Sequence, residues 1–278
     1  MRTLGLAVLL LACVVLGLAT AVQAAPIVTA GLVGYWNFDG NANDTSGVVG
    51  GPHNGTWYGT AVYSTDVPNA MGGQSADMRA ANTSVYVSTD SGANSFFNLD
   101  SLSIAFWTKA RHPASDWGWW VCKDGDNGTG YRVVQPGGPW TKKMSFGMRG
   151  PGDGPSGLAI GPIDDTAWWH YVITRGDGKA RIYQNGIMIG ETNSSGAIID
   201  GVSPLSFGAY FGHHWDGTKE VPDSAPVAFA QIRMDEIYVF NRAITLDEVL
   251  TLYQSPEPAT MALLAFGGLG LMLKRSRR

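Results

Sequence analysis

Short apolar or alternating runs recur along the chain between clusters of Gly, Asn, Asp and Pro. They are Leu32–Phe38, Thr56–Tyr58, Ser84–Val87, Leu102–Ala110, Trp119–Lys123, Tyr131–Val134, Lys143–Met148, Trp169–Arg175, Leu205–Ala209 and Gln231–Phe240. Runs of this length bounded by turn formers predict the strands of a sandwich or barrel. The segment RIYQNGIMIG, Arg181 to Gly190, predicts a hairpin, because Asn185-Gly186 accepts the positive φ angles of a type I′ turn. One helix is predicted: Thr245-Leu246-Asp247-Glu248 is a capping box, and Leu246, Val249, Leu250 and Tyr253 form an apolar stripe behind it. That helix is expected to sit as a short lid on the sandwich edge. Tyr35, Trp36, Phe38, Ile104, Phe106, Trp107, Ile173 and Ile237 are assigned to the inner sheet faces, each contributing about 1.5–3 kcal/mol if fully buried.

Composition narrows the class. Of 278 residues 45% are hydrophobic and only 15% charged, which excludes disordered, collagen-like and coiled-coil chains. Gly (37) and ten each of Trp, Tyr and Phe suit strands and tight turns, so an all-helical fold is not expected. The formal charge is −4; without Arg2, Glu257, Lys274, Arg275, Arg277 and Arg278 it becomes 14 basic against 22 acidic residues, about −8. A body that acidic disfavours a nucleic-acid phosphate surface.

Both ends look like addresses. Arg2, the apolar run Leu4 to Ala19 and the small-residue site Val22-Gln23-Ala24 predict a secretory signal peptide over residues 1–24, cleaved after Ala24. A lipoprotein box at Leu10–Cys13 is the competing reading, but the apolar run continues past Cys13. Residues 255–278 hold Pro256-Glu257-Pro258, an uncharged segment from Ala259 to Leu273 and a basic end. Fifteen helical residues reach about 22 Å, short for a full span unless Lys274 and Arg275 snorkel. This order resembles the PEP-CTERM sorting signal, and the resemblance implies an exosortase-type protease as partner. Transient anchoring in the inner membrane, then delivery to the cell surface or medium, is the expected route; a plain tail anchor is the alternative.

The body, residues 25–254, resembles the concanavalin A-like, laminin G-like family. The motifs occur in order: GLVGYWNFDG from Gly31, NDTSG from Asn43, HNGT from His53, SLSIAFWTKA from Ser101, WWHYVITR from Trp168, the Asn-Gly hairpin, and MDEIYVFNRAITLDEV from Met234. The resemblance implies an all-β, two-sheet antiparallel jelly-roll sandwich with one short C-terminal helix.

The chemistry expected of this body is binding. A glycosidase needs two carboxyl groups across the sugar bond. Related glucanases carry Glu-x-Asp-x-x-Glu on one strand; here the only Glu residues before the tail are Glu191, Glu220, Glu236 and Glu248, none so spaced. Asp235 and Glu236, as strand neighbours, are expected on opposite faces. No G-x-S-x-G elbow, H-E-x-x-H pair or Walker loop is present, and the Gly-rich stretch Gly150 to Gly157 lacks the Lys-Ser/Thr ending. The resemblance implies a structural calcium ion held by Asp39, Asp44 and Asp235, although Asp39 and Asp44 read equally well as turn formers. DGDNG from Asp124 lacks the distal Glu of an EF-hand, and His213, His214 and Asp216 are a weak transition-metal set because adjacent strand residues point apart.

Sugar rings stack on exposed aromatics, and the candidates are Trp117, Trp119, Trp120 and Trp215, with Trp140 and Tyr210 in similar loop-like sequence. Burial in the core or at loop bases is the competing account for these rings. Cys122 among Trp119, Trp120 and Val121, and His170 between Trp169 and Tyr171, are read as packed residues. The sequence thus points to an exported, non-catalytic surface or matrix module whose partner is a polysaccharide. A structural or adhesive protein with a protein partner, and a diverged glycosidase, are the alternatives.

Overall fold

The computed structural model describes residues 26–68, 71–87, 95–110, 117–125, 129–136, 144–148, 158–160 and 166–254. In chain order its first strands are β1 (Leu32–Trp36), β2 (Thr56–Tyr58), β3 (Tyr63–Ser64), β4 (Ser75–Met78), β5 (Ser84–Tyr86), β6 (Leu102–Ala110), β7 (Gly118–Gly125), β8 (Thr129–Gln135) and β9 (Met144–Met148). There follow β10 (Leu158–Ile160), β11 (Trp169–Gly176), β12 (Lys179–Gln184), β13 (Ile187–Asn193), β14 (Ser206–Phe207), β15 (His213–Trp215), β16 (Glu220–Pro222) and β17 (Ile232–Phe240), and the helix α1 (Leu246–Gln254).

Fifteen of the strands form two antiparallel sheets, and β15 and β16 pair as a separate two-stranded hairpin. One runs β13-β12-β11-β6-β17-β4-β3 with β1 added on β17, eight strands in all; the other is seven-stranded, β10-β9-β8-β7-β14-β5-β2. The two-sheet sandwich, its all-β class and the short C-terminal helix are as the strand pattern and the family resemblance implied. Trp36, Phe38, Ile104, Phe106, Ile173 and Ile237 meet Trp120, Val121, Tyr131, Phe146 and Phe207 in the core between the sheets.

Two expectations need correction. Tyr35 and Trp107 are buried, but on the outer face of the eight-stranded sheet: Tyr35 stacks on Tyr238 at 4.3 Å, and Trp107 on helix residue Tyr253 at 5.8 Å. That face also carries Ala105, Val172, Tyr183 and Phe240, so it is as apolar as an inner face and draws the helix onto it. Val249 and Leu252 are buried there, so α1 covers a sheet face rather than an edge. Its capping box forms as read: Glu248 N–H donates to Thr245 Oγ1 at 3.3 Å, and Thr245 N–H donates to Glu248 Oε2 at 2.8 Å. Asn185 (φ 49°) and Gly186 (φ 80°) turn the β12–β13 hairpin with the left-handed angles expected of them.

Candidate functional site

The aromatic candidates separate by environment. Trp120 is fully buried and meets Phe106 and Tyr171 at 6.3 and 6.0 Å, so its ring belongs to the core and is withdrawn as a glycan contact. A register shift between Trp119 and Val121 sets Trp120 and Val121 both inward and leaves Trp119 on the outer side. Trp119 stacks on Tyr210 at 4.5 Å, and the Arg132 guanidinium lies over its ring at 5.0 Å. The Trp119 ring is half-buried and packed by both groups, so it offers less open surface than Trp117. The segment that closes this end pairs Tyr210 with Val227 and Trp119 with Phe229.

Trp117, immediately before β7, is 50% exposed, and Val227 is exposed as well. Trp215 is 61% exposed on the small β15–β16 hairpin. There His213 lies 3.5 Å from Glu220 and His214 is 2.8 Å from Asp223, pairings that use the side chains across the hairpin. Trp117, two residues before the Trp119 that packs with Tyr210 and Arg132, and Trp215, on its own hairpin, are the exposed aromatic candidates. Trp140, the loop from Gly150 to Gly157, and the side chains of the DGDNG turn lie outside the described residues.

The carboxylates tell a different story. Asp44 is buried, and its Oδ1 accepts the amides of Tyr35 (3.1 Å) and Ser46 (2.9 Å) while Oδ2 accepts that of His53 (2.8 Å). It is the organiser of the loop after β1. Asp39 accepts the Gln74 amide (2.8 Å) and the Asn37 side-chain amide (2.9 Å), and burial raises its pKa. Asp235 is fully buried and accepts the Glu236 amide at 2.9 Å. Asp39 and Asp44 thus take part in the hydrogen bonds of the loop after β1, and Asp235 in those of the β17 bulge. Among the described residues no group of three or more His, Cys, Asp and Glu could hold a metal ion.

Nor do Asp235 and Glu236 take opposite faces. A bulge in β17, with Glu236 at φ 51°, leaves both between inward-facing Met234 and Ile237. The Glu236 carboxylate then accepts hydrogen bonds from the hydroxyls of Tyr35 (2.8 and 2.9 Å) and Tyr238 (3.0 Å) on the outer face. Burial pushes it up to about 7; the tyrosine hydrogen bonds lower it and the charge of Asp39 raises it.

A third cluster was missed in the sequence. Asp66 accepts from Trp168 Nε1 (2.9 Å), Lys109 Nζ (3.0 Å) and Arg233, while Asp77 accepts from Arg79 (2.7 and 2.8 Å) and Arg233 Nε (3.0 Å). Burial raises the pKa of both acids, but hydrogen bonds, from Trp168 and Lys109 to Asp66 and from Arg79 and Arg233 to Asp77, hold each below the ordinary carboxylate value. The period of β11 held the signal: with Tyr171 and Trp169 inward, Trp168 and His170 must face out.

Residues 81–250 match the family model of the concanavalin A-like lectin/glucanases superfamily. The chain belongs to that superfamily. Its tail, residues 256–278, matches the PEP-CTERM protein-sorting motif, which marks a protein for export and surface sorting. Among curated proteins none matches it. Of solved structures, the receptor binding domain of botulinum neurotoxin type G is similar at 13% identity and TM-score 0.54, over 81% of this chain and 51% of that one. The binding domain of Paraclostridial mosquitocidal protein 1 gives 15% identity and TM-score 0.56, over 81% and 52%. Domain 4 of AbnA, an extracellular arabinanase of Geobacillus stearothermophilus solved with arabinotriose, gives 17% and 0.50, over 80% of this chain and 98% of the domain. The chain spans about half the length of the toxin domains, and at these identities the likeness is one of fold. The expected signal peptide over residues 1–24, and residues 255–278, lie outside the described residues.

Proposed function

We propose that the protein is an exported, surface-sorted module that binds polysaccharide without cleaving it, using the rim around Trp117. The observation that carries this reading is the half-exposed Trp117, two residues along the chain from Trp119, whose ring packs with Tyr210 and Arg132. A flat apolar ring on rigid support loses little entropy on stacking against a sugar face. The resemblance to an arabinotriose-bound domain supports a glycan as the ligand class.

The acids support the absence of hydrolysis. Glycosidases need two accessible carboxyl groups about 5–10 Å apart. Here Asp235 and Glu236 are buried, and Asp66 and Asp77 are held in ion pairs with Arg and Lys. Export with transient anchoring through residues 259–273, then exosortase processing, brings such a module to the surface. A polysaccharide array, run beside a reducing-end assay on the same glycans, tests the reading. Binding without release of reducing ends is expected; release abolished by a single Asp or Glu substitution would overturn it.

A further inference from the structure

We propose that the outer face of the eight-stranded sheet carries a second sugar subsite, built on Trp168, Lys109 and Arg79, that takes a ring bearing a carboxylate: a uronic acid residue of an acidic polysaccharide. The proposal rests on the reading of the protein as a polysaccharide-binding module and assigns the ligand class of a distinct surface.

The strand register builds the site. Asp77 on β4 lies opposite Arg233 on β17, and Arg233 opposite Lys109 on β6. Trp169 on β11 lies opposite Thr108, so the next antiparallel step sets Trp168 beside Lys109. Asp66, just past β3, closes the row by accepting from Trp168, Lys109 and Arg233 together. The indole is therefore held by its N–H edge, half-buried and fixed in orientation.

The charges do not cancel. Three cations, Arg79, Lys109 and Arg233, face two carboxylates, leaving one positive charge on a body of about −8. Arg233, 13% exposed, bridges both acids and is the structural cation, whereas the side chains of Arg79 and Lys109 are 38% and 23% exposed. Lys109 bonds through one of its three N–H groups, and Arg79 engages Asp77 through Nε and Nη2 and not through Nη1. Joining Asp66 to Asp77 requires only Arg233. The fixed ring suits a sugar whose apolar face stacks on Trp168 while its carboxylate accepts a charge-assisted hydrogen bond from Lys109, and Arg79, about 14 Å away across three strands, meets the carboxylate of a following sugar.

The test is calorimetric titration of trigalacturonate, with arabinotriose and the neutral glycans of the array in parallel, into the full chain in mild detergent. Wild type is compared with Arg79→Gln, Trp168→Ala, Trp168→Phe and Trp117→Ala, and melting temperatures confirm that each is folded. Trigalacturonate affinity should fall at least about tenfold in Arg79→Gln and Trp168→Ala, stay within about threefold in Trp168→Phe, weaken with added salt, and be unmoved by Trp117→Ala. Neutral glycan bound through Trp117 with no trigalacturonate binding would overturn this proposal and leave the first reading intact. Trigalacturonate bound through Trp168, with Trp117→Ala silent for every glycan, would uphold this proposal and overturn the Trp117 site.

Discussion

His170 should give the fold a measurable acid sensitivity. It lies on β11 beneath α1, 2% exposed, with its ring 5.0 Å from Trp107 and 5.8 Å from Tyr253. Its Nδ1 has no hydrogen-bond partner, and burial pushes the imidazole pKa down to about 3. A native pKa below the unfolded value of about 6.5 means protonation favours the unfolded chain. The stability that neutral His170 contributes is complete above pH 6.5 and is lost progressively as pH falls toward 3. At pH 5 the loss is about 2 kcal/mol, which for a domain of this size lowers the melting temperature by about 4–8 °C.

Glu236 acts in the opposite direction. Its pKa, raised to about 7, makes the native state bind a proton more readily than the unfolded chain, so stability rises as pH falls through 7. The raw pH profile therefore mixes the two groups, and the informative quantity is the difference between wild type and His170→Phe, which keeps a flat ring between Trp107 and Tyr253. Urea unfolding at pH 7.5 and pH 5 should show that the variant escapes about 2 kcal/mol of wild type's acid-induced loss. Equal pH dependence in the two proteins would refute the assignment of His170 as a buried neutral imidazole.

Three other outcomes follow from the same structure. Asp44→Ala strands three backbone amides around the loop after β1 and should destabilise the fold by about 2–4 kcal/mol in thermal melts, with calcium present or absent. A chelator should leave the wild-type melting curve unmoved, because among the described residues no three acids or histidines gather where they could hold a metal ion; a calcium-dependent rise in melting temperature, lost in Asp235→Ala, would contradict this. Mass spectrometry of protein from the native cell surface or medium should find no peptides from Ala259 to Arg278, whereas Met261–Leu273 peptides in that fraction would indicate a permanent anchor.

The period of the apolar residues carried the sandwich: β6 at Leu102–Ala110 and β2 at Thr56–Tyr58 match the sequence boundaries at both ends. What alternation could not show lies where the backbone breaks it. One bulge turned Trp120 inward and left Trp119 out, and a second put Asp235 and Glu236 on one face. Strand β4, Ser-Ala-Asp-Met, escaped notice because Asp77 interrupts its apolar pattern, yet that acid is buried only because Arg79 and Arg233 pair with it. The period of β11 sets Trp168 on the outer face, but Asp66, Lys109 and Arg233, which complete its cluster, come from distant parts of the chain and leave no local trace in sequence. Exposure was likewise invisible: Trp117, Trp119 and Trp120 read alike, and only Trp117 presents an open ring.

A polysaccharide site on the Trp117 rim makes a sharp demand on titration of the best neutral array glycan into wild type and Trp117→Ala at matched concentration. Binding to the variant should be about 1–2 kcal/mol weaker, about a 5- to 30-fold rise in Kd, with an unchanged melting temperature because the ring is half-exposed. Unaltered affinity in a folded Trp117→Ala protein would contradict it.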